Sequence, residues 1–329
     1  MSHARRISSF ALAAGSLAAL VVGACGPDDL PPSYLGVVLP GDGGAAGHAG
    51  NPSIPDAGPD AAALPDATVL AGDCASPSPF DVDVSGLTAF GGLATGNGQI
   101  VLGLGGTARA FSPTDGCPGP GLPAPPVGAV SALASGNGVL WAAGPTGLTL
   151  TSAGGKKVAT CAGSATSLAV DAAGNALGVS GGGAFFLATP GTGGTCANTT
   201  IPLAGGVIAT AIAASAQSGT AWLAVVNAGA TKIARYAVAD GSPVGDPVVS
   251  SPVCTADSMA EIGDRLAVAD ATCGRVWFFH TSDGTLADSW AASSGATPRA
   301  VAAAPGGGVL VVQTSATASG TRIQLAKLP

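Results

Sequence analysis

Few residues in this chain are equipped for acid–base or nucleophilic chemistry. Glu261 is the one glutamate, and His280 is the one histidine after position 48. A Ser-His-Asp relay would have a single imidazole to use as its base, and a multi-histidine metal centre is excluded. Two stretches have the outline of a site. "GVSGG" (178–182) has the G-x-S-x-G spacing that lifts a serine nucleophile, here Ser180, onto a strand-to-helix turn. "GLGGTA" (103–108) has the G-x-G-x-x-A spacing of a dinucleotide-binding turn, which works by presenting a helix N-terminus to the pyrophosphate. Both devices need a helix directly after the glycines. Here "GAFFLATP" and "RAFSPTDG" follow, and both read as strand and turn. No catalytic, cofactor-binding or metal residue is therefore assigned, and no cofactor is expected.

The elements that would position any site are legible because one phrase recurs six times. Its first half is an apolar residue followed by alanine: Leu93-Ala94, Leu133-Ala134, Leu168-Ala169, Ile212-Ala213, Met259-Ala260 and Val301-Ala302. A turn glycine comes four to seven residues after the apolar residue, at 98, 138, 174, 219, 263 and 307. Each glycine opens a β-like run: "QIVLGL", "VLWAAG", "NALGVS", "TAWLAV", "DRLAVA" and "GVLVVQ". A third run follows in most units, and Asp-Gly pairs at 115–116, 240–241 and 283–284 mark hairpins. Glycine or proline interrupts the chain too often for packed helices.

Three or four strands renewed about every 42 residues are the pattern of a β-propeller blade. The rhythm is similar to the blades of NHL, YncE-like and quinoprotein-like propellers, with "RVWFFHTSDGTL" (275–286) as third strand, turn and fourth strand. The fold class expected is all-β, a propeller of six blades, with seven as the alternative. The last unit ends at "RIQLAKLP" without room for a fourth strand, so Pro79–Val84, "PFDVDV", is expected to close the ring. Propeller lactonases resembling this scaffold hold a central divalent metal with a glutamate, asparagines and an aspartate. Glu261 falls on an inner strand, but the asparagines at 97, 137, 175, 198 and 227 do not converge, so Glu261 is read as structural.

The chain begins with Arg5 and Arg6, an apolar stretch from Phe10 to Val22, and then Val22-Gly23-Ala24-Cys25. This is a secretory signal, shorter than the roughly 20 residues of a membrane-spanning helix. Its end resembles the lipobox of bacterial prolipoproteins, which implies cleavage before Cys25, diacylation of its thiol and stable anchoring in a lipid bilayer. Gly26 follows where an aspartate commonly retains lipoproteins at the inner membrane, so the expected location is the outer membrane, periplasmic or surface-exposed. Residues 25–73 read as the lipidated cysteine and a disordered tether. From 26 onward they hold seven aspartates, no Lys or Arg, and abundant Gly, Ala and Pro. The domain is placed at 74–329, where the formal charge is −2 of the chain's −7. Only Lys156-Lys157 form an adjacent basic pair there, so nucleic acid is not an expected partner.

Six cysteines follow Cys25: Cys74, Cys117, Cys161, Cys196, Cys254 and Cys273. An even count in an exported domain reads as three disulfides, and no Cys-x-x-Cys suggests zinc. Six cysteines allow fifteen connectivities. Propeller topology would bring Cys254 to Cys273 and Cys74 to Cys117, leaving Cys161 with Cys196. The function expected is a binding or protein-interaction module, monomeric, facing an envelope protein or an extracellular ligand. The alternatives are an exported propeller enzyme, lactonase-like or quinoprotein-like, and a structural envelope component.

Overall fold

The recurring phrase builds a six-bladed β-propeller. The computed structural model describes residues 68–69, 90–96, 98–104, 107–113, 129–152, 155–248, 252–317 and 320–329. Residues 1–40 and 41–329 are separate units, and every described residue belongs to the second. The signal and lipobox, Cys74, Cys117 and Pro79–Val84 lie outside the described residues.

Blade 1 contains β2–β4 (Phe90–Gly96, Gln99–Leu104, Thr107–Phe111). Blade 2 contains β5–β8 (Ala132–Gly136, Val139–Gly144, Gly147–Ser152, Lys157–Cys161). Blade 3 contains β9–β12 (Ser167–Val170, Ala176–Val179, Phe185–Pro190, Cys196–Ile201). Blade 4 contains β13–β16 (Ile208–Ala214, Thr220–Asn227, Ala230–Ala237, Pro243–Val248). Blade 5 contains β17–β20 (Ser258–Ile262, Arg265–Asp270, Arg275–His280, Leu286–Ala291). Blade 6 contains β21–β23 (Ala296–Ala303, Val309–Thr317, Gly320–Leu328), and its fourth strand is β1 (Thr68–Val69) from the other end of the chain. All pairings within blades are antiparallel between sequence neighbours, apart from β1 on β23. Among the described residues the only helical segments are single 3₁₀ turns at Thr192–Gly194 and Ala204–Gly206.

Local chemistry explains the hairpins. Asn137 and Gly138 both have positive φ, 49° and 72°, and join the paired residues Gly136 and Val139 as a two-residue turn of the mirror-image type that strand twist favours. The Asp-Gly signals at 240–241 and 283–284 do mark hairpins, but with five residues between strands rather than two. Asp240 Oδ1 accepts from Ser242 N and Oγ, and Asp283 Oδ1 from Thr285 N and Oγ1. These side-chain bonds supply a local turn of their own, so the loop closes later. They also hold both carboxyls below the usual carboxylate range.

Packing shows why the apolar-alanine phrase repeats. The buried side chains form six clusters, one at each boundary between adjacent blades. Alternation along the inner strand sends the two residues of each phrase to opposite faces. Leu133 packs against blade 1 and Ala134 against blade 3; Leu168 packs against blade 2 and Ala169 against blade 4. The same rule carries through Ile212-Ala213, Met259-Ala260 and Val301-Ala302 back to Leu93-Ala94. Every boundary therefore receives one large and one small residue near the axis, where the wedge between blades narrows. Within blade 3, Gly178 makes room for its cross-strand partner: a Cβ there would lie 2.1 Å from the Phe186 ring.

Closure differs from the sequence expectation. Thr68 pairs with Lys327 and Val69 with Ala326, so the outer strand of blade 6 comes from a stretch that composition marks as tether. Composition misses it because a two-residue strand gains its partners from the far end of the chain rather than from its own pattern. Two of the disulfides are formed as the topology suggested. Cys161–Cys196 joins the outer strands of blades 2 and 3, with Cα atoms 5.0 Å apart. Cys254–Cys273 ties the connection before β17 to the β18–β19 turn, with Cα atoms 5.9 Å apart.

Candidate functional site

The inner strands β2, β5, β9, β13, β17 and β21 neighbour one another in a closed cycle. Each is the terminal strand of its sheet, so one edge of its backbone has no sheet partner. These six strands line a central cavity of about 630 Å³. Both members of the repeated phrase border it, Leu133 with Ala134 and Leu168 with Ala169 among them.

Hydrogen bonds fix the width of the ring at all six boundaries. Thr95 Oγ1 donates to Ala303 O (2.8 Å) between blades 1 and 6, and Ser135 Oγ donates to Thr95 O between blades 2 and 1. Ser131 Oγ donates to Ala165 O (2.8 Å) between blades 2 and 3. Ile212 N donates to Ser167 Oγ (3.2 Å) between blades 4 and 3, and Val301 N to Ser258 Oγ (3.3 Å) between blades 6 and 5. At the blade 4–5 boundary Glu261 Oε2 accepts from Trp222 Nε1 (2.7 Å) and Ala216 N (3.0 Å). Arg235 stacks over the same Trp222 ring, 4.4 Å from its centre, and donates to Thr281 O in blade 5 (2.6 Å). Glu261 borders the cavity, but one of its oxygens is committed to bracing the ring.

One end of the cavity carries two opposite charges, the acidic one four residues along the chain from Glu261. The residue two before the apolar member of each phrase is Gly91, Ser131, Thr166, Thr210, Asp257 or Arg299, and all but Thr210 line the cavity. Ser131, Thr166 and Asp257 stand just ahead of their strands, with their N–H groups donating to Ala143, Val179 and Ala269. The equivalent positions in blades 1, 4 and 6 are register shifts in the first hairpin, at Gly91, Thr210 and Arg299. Such bulges re-aim a side chain out of strict alternation. The hydroxyls at this level turn back on the backbone: Ser131 to Ala165 O, Thr166 to Val179 O and Thr210 to Ala224 O.

Asp257 and Arg299 behave differently. Asp257 Oδ2 accepts from Ala271 N (2.8 Å) and Thr255 Oγ1 (3.4 Å), which leaves Oδ1 unclaimed among the described residues. Arg299 donates from Nε to Thr314 Oγ1 (3.3 Å), which orients the guanidinium and leaves both terminal nitrogens unclaimed among the described residues. Both side chains are exposed to the cavity. Desolvation in this recess raises the Asp257 carboxyl above its usual value; the Ala271 N–H and the charge of Arg299 pull it down, and Asp270 pushes it up.

Other candidates from the sequence fall elsewhere. Ser180 sits in the tight β10–β11 turn, with its Oγ accepting from Ala184 N (3.1 Å), so the G-x-S-x-G stretch is a hairpin and not a strand-to-helix elbow. "GLGGTA" begins at the end of β3 and ends at the start of β4, and among the described residues a strand rather than a helix follows its glycines. His280 ends β19, and its backbone N–H and C=O close the Asp283–Gly284 hairpin. Asp270 is fully buried and accepts from Cys254 N (2.7 Å), Cys273 N (3.0 Å) and Trp277 Nε1 (3.1 Å). It lies beside Cys254 and Cys273 in a metal-like grouping, but those sulfurs are bonded to each other, which removes the thiolates a metal would need. Sequence reasoning missed Asp257 and Arg299. Aligning the six phrases and reading the position two before each apolar residue would have found them.

No protein-family model matches the chain, and no curated protein matches it. Among solved structures it is similar to the WD40 β-propeller domain of Doa1, at 11% sequence identity and a TM-score of 0.51, over 72% of this chain and 77% of that one. It is also similar to a chain of a nidogen/laminin complex, at 12% identity and a TM-score of 0.49, over 61% of this chain and 80% of that one. The likeness to the WD40 domain is one of fold.

Proposed function

We propose that this chain is an exported, membrane-anchored lipoprotein whose six-bladed propeller is a binding module, with the charged mouth of the central cavity as its contact site. The observation that carries this reading is the pair Asp257 and Arg299. Both face the cavity from adjacent blades, with hydrogen-bonding atoms that no described residue uses. A ring braced at every boundary can hold such groups in fixed positions, which is what recognition without rearrangement requires. A propeller fold also suits a protein-interaction role.

The lipobox-like Val22-Gly23-Ala24-Cys25 supports anchoring through an acylated Cys25 in the outer membrane, on the periplasmic or the outer surface. The disulfides Cys161–Cys196 and Cys254–Cys273 suit an oxidising compartment. Two measurements test the reading. A clickable palmitate analogue labels the wild-type chain and not Cys25→Ser; equal labelling of both, or of neither, overturns the anchoring. A photo-crosslinker placed at Ser131 on the cavity mouth captures a ligand or partner in cells more efficiently than one placed at Lys157 on an outer strand. Equal capture from both positions overturns the assignment of the contact site.

A further inference from the structure

We propose that the central cavity binds short peptides with both termini free, the ammonium held by Asp257 and the carboxylate by Arg299. This rests on the reading of the propeller as a binding module and names the chemistry of what the cavity takes. Three features of the ring carry it.

First, the two charges sit at one end of one cavity on neighbouring strands. Ser258 Oγ accepts from Val301 N, so β17 and β21 touch there; Asp257 precedes Ser258 and Arg299 lies two residues before Val301. A guanidinium whose Nε is anchored and whose terminal nitrogens are open is a forked receptor for a carboxylate, while a carboxylate with one open oxygen accepts from an ammonium.

Second, each inner strand ends its sheet, so its outer backbone groups have no sheet partner, although Thr95 O, Ala303 O, Ile212 N and Val301 N are used by the bonds that brace the ring. Peptide N–H and C=O groups are the natural complement of such edges. This favours a peptide over a zwitterion that lacks amides.

Third, the cavity of about 630 Å³ exceeds what a single amino acid fills and has room for two or three residues. Its walls are formed by the alanines of the repeated phrase together with larger apolar members such as Leu133, Leu168 and Met259, and apart from Glu261 they offer no charge to the side chains of a ligand. Specificity therefore rests on the termini.

The test is a calorimetric cycle on the full chain with alanylalanine, its N-acetyl form, its C-terminal amide and the doubly blocked form. Each single block weakens binding by about tenfold or more, and the effect shrinks at high salt. Arg299→Gln weakens alanylalanine to the same extent as amidation does, and adds no further loss toward the amide. Asp257→Asn stands in the same relation to N-acetylation. Thermal melts check that both variants remain folded, and Lys157→Gln on an outer strand serves as a control with unchanged binding. Absence of alanylalanine binding at tens of millimolar, equal binding of the doubly blocked form, or fully additive losses would overturn the proposal. Crosslinking from Ser131 in cells is read independently, so a peptide result of this kind does not by itself remove the binding-module reading.

Discussion

Replacing Glu261 by alanine tests whether the chain's one glutamate braces the ring or serves the cavity. Its Oε2 accepts from Trp222 Nε1 at 2.7 Å and from Ala216 N at 3.0 Å, both across the blade 4–5 boundary. A hydrogen bond to a charged group contributes about 1.5–3 kcal/mol when sheltered from water. Trp222 is only 3% exposed, so its indole N–H has poor access to a replacement acceptor. The Ala216 N–H lies at the surface, where water takes over at little cost. Glu261→Ala should therefore cost about 2–3 kcal/mol, and a ring of this size should melt about 5–10 °C lower. Glu261→Gln keeps an acceptor oxygen and loses only the charge assistance, so its melting temperature should fall by about 2–4 °C. Thermal unfolding followed by circular dichroism and tryptophan fluorescence reads both, and a cycle with Trp222→Phe isolates the pair. A Glu261→Ala chain that melts with the wild type, or losses that add fully with Trp222→Phe, would refute the bracing role.

Deleting residues 26–60 should leave the melting temperature unchanged. Deleting 26–70 removes β1 and should lower it, exposing the β23 edge to concentration-dependent association detectable by light scattering; equal behaviour of the two deletions would refute closure by β1. Losing Cys161–Cys196 to a double serine substitution should cost about 4 kcal/mol and losing Cys254–Cys273 about 3 kcal/mol, from the chain entropy of the closed loops. Denaturant midpoints of the two variants check the order. The Asp257 carboxyl is raised from 3.8, so the folded ring binds its proton more tightly than the unfolded chain does. Its contribution to stability is full below that unfolded value and is lost as pH rises through the raised one. Asp257→Asn should therefore gain on the wild type between pH 3 and pH 7 in parallel thermal melts, and a gap that stays constant or reverses would refute the sign.

Most of the strands were readable in the sequence because the propeller repeats a local rule. "QIVLGL" is β3 and "VLWAAG" is β6 to the residue. Asn137-Gly138 and its counterparts set hairpins through backbone conformations that few other residues adopt at low cost. The candidate site was far less legible. Ser180 and the "GLGGTA" glycines satisfy chemical patterns in hairpins that lack the helix those patterns need. Asp257 and Arg299 satisfy no pattern at all, because their partnership comes from strands 42 residues apart that meet only when the blades stand side by side.

What the sequence alone determined is the unit and its number: turn glycines at near-constant spacing, alternating runs between them, and an apolar-alanine phrase marking each inner strand. Those are local properties, set by backbone conformation and by the period of two in a strand. Only the tertiary structure decided how the units use them. Stacking sends Leu133 to one neighbour and Ala134 to the other, so that the phrase becomes a wedge with a large and a small side at every boundary. Ring closure recruits Thr68–Val69, whose two residues have no strand pattern of their own, because the open edge of β23 supplies the hydrogen bonds that make them a strand. The cavity follows from that closure. Six inner edges converge on one axis only after the last blade meets the first, while the packing of blade 5 on blade 6 sets Arg299 beside Asp257.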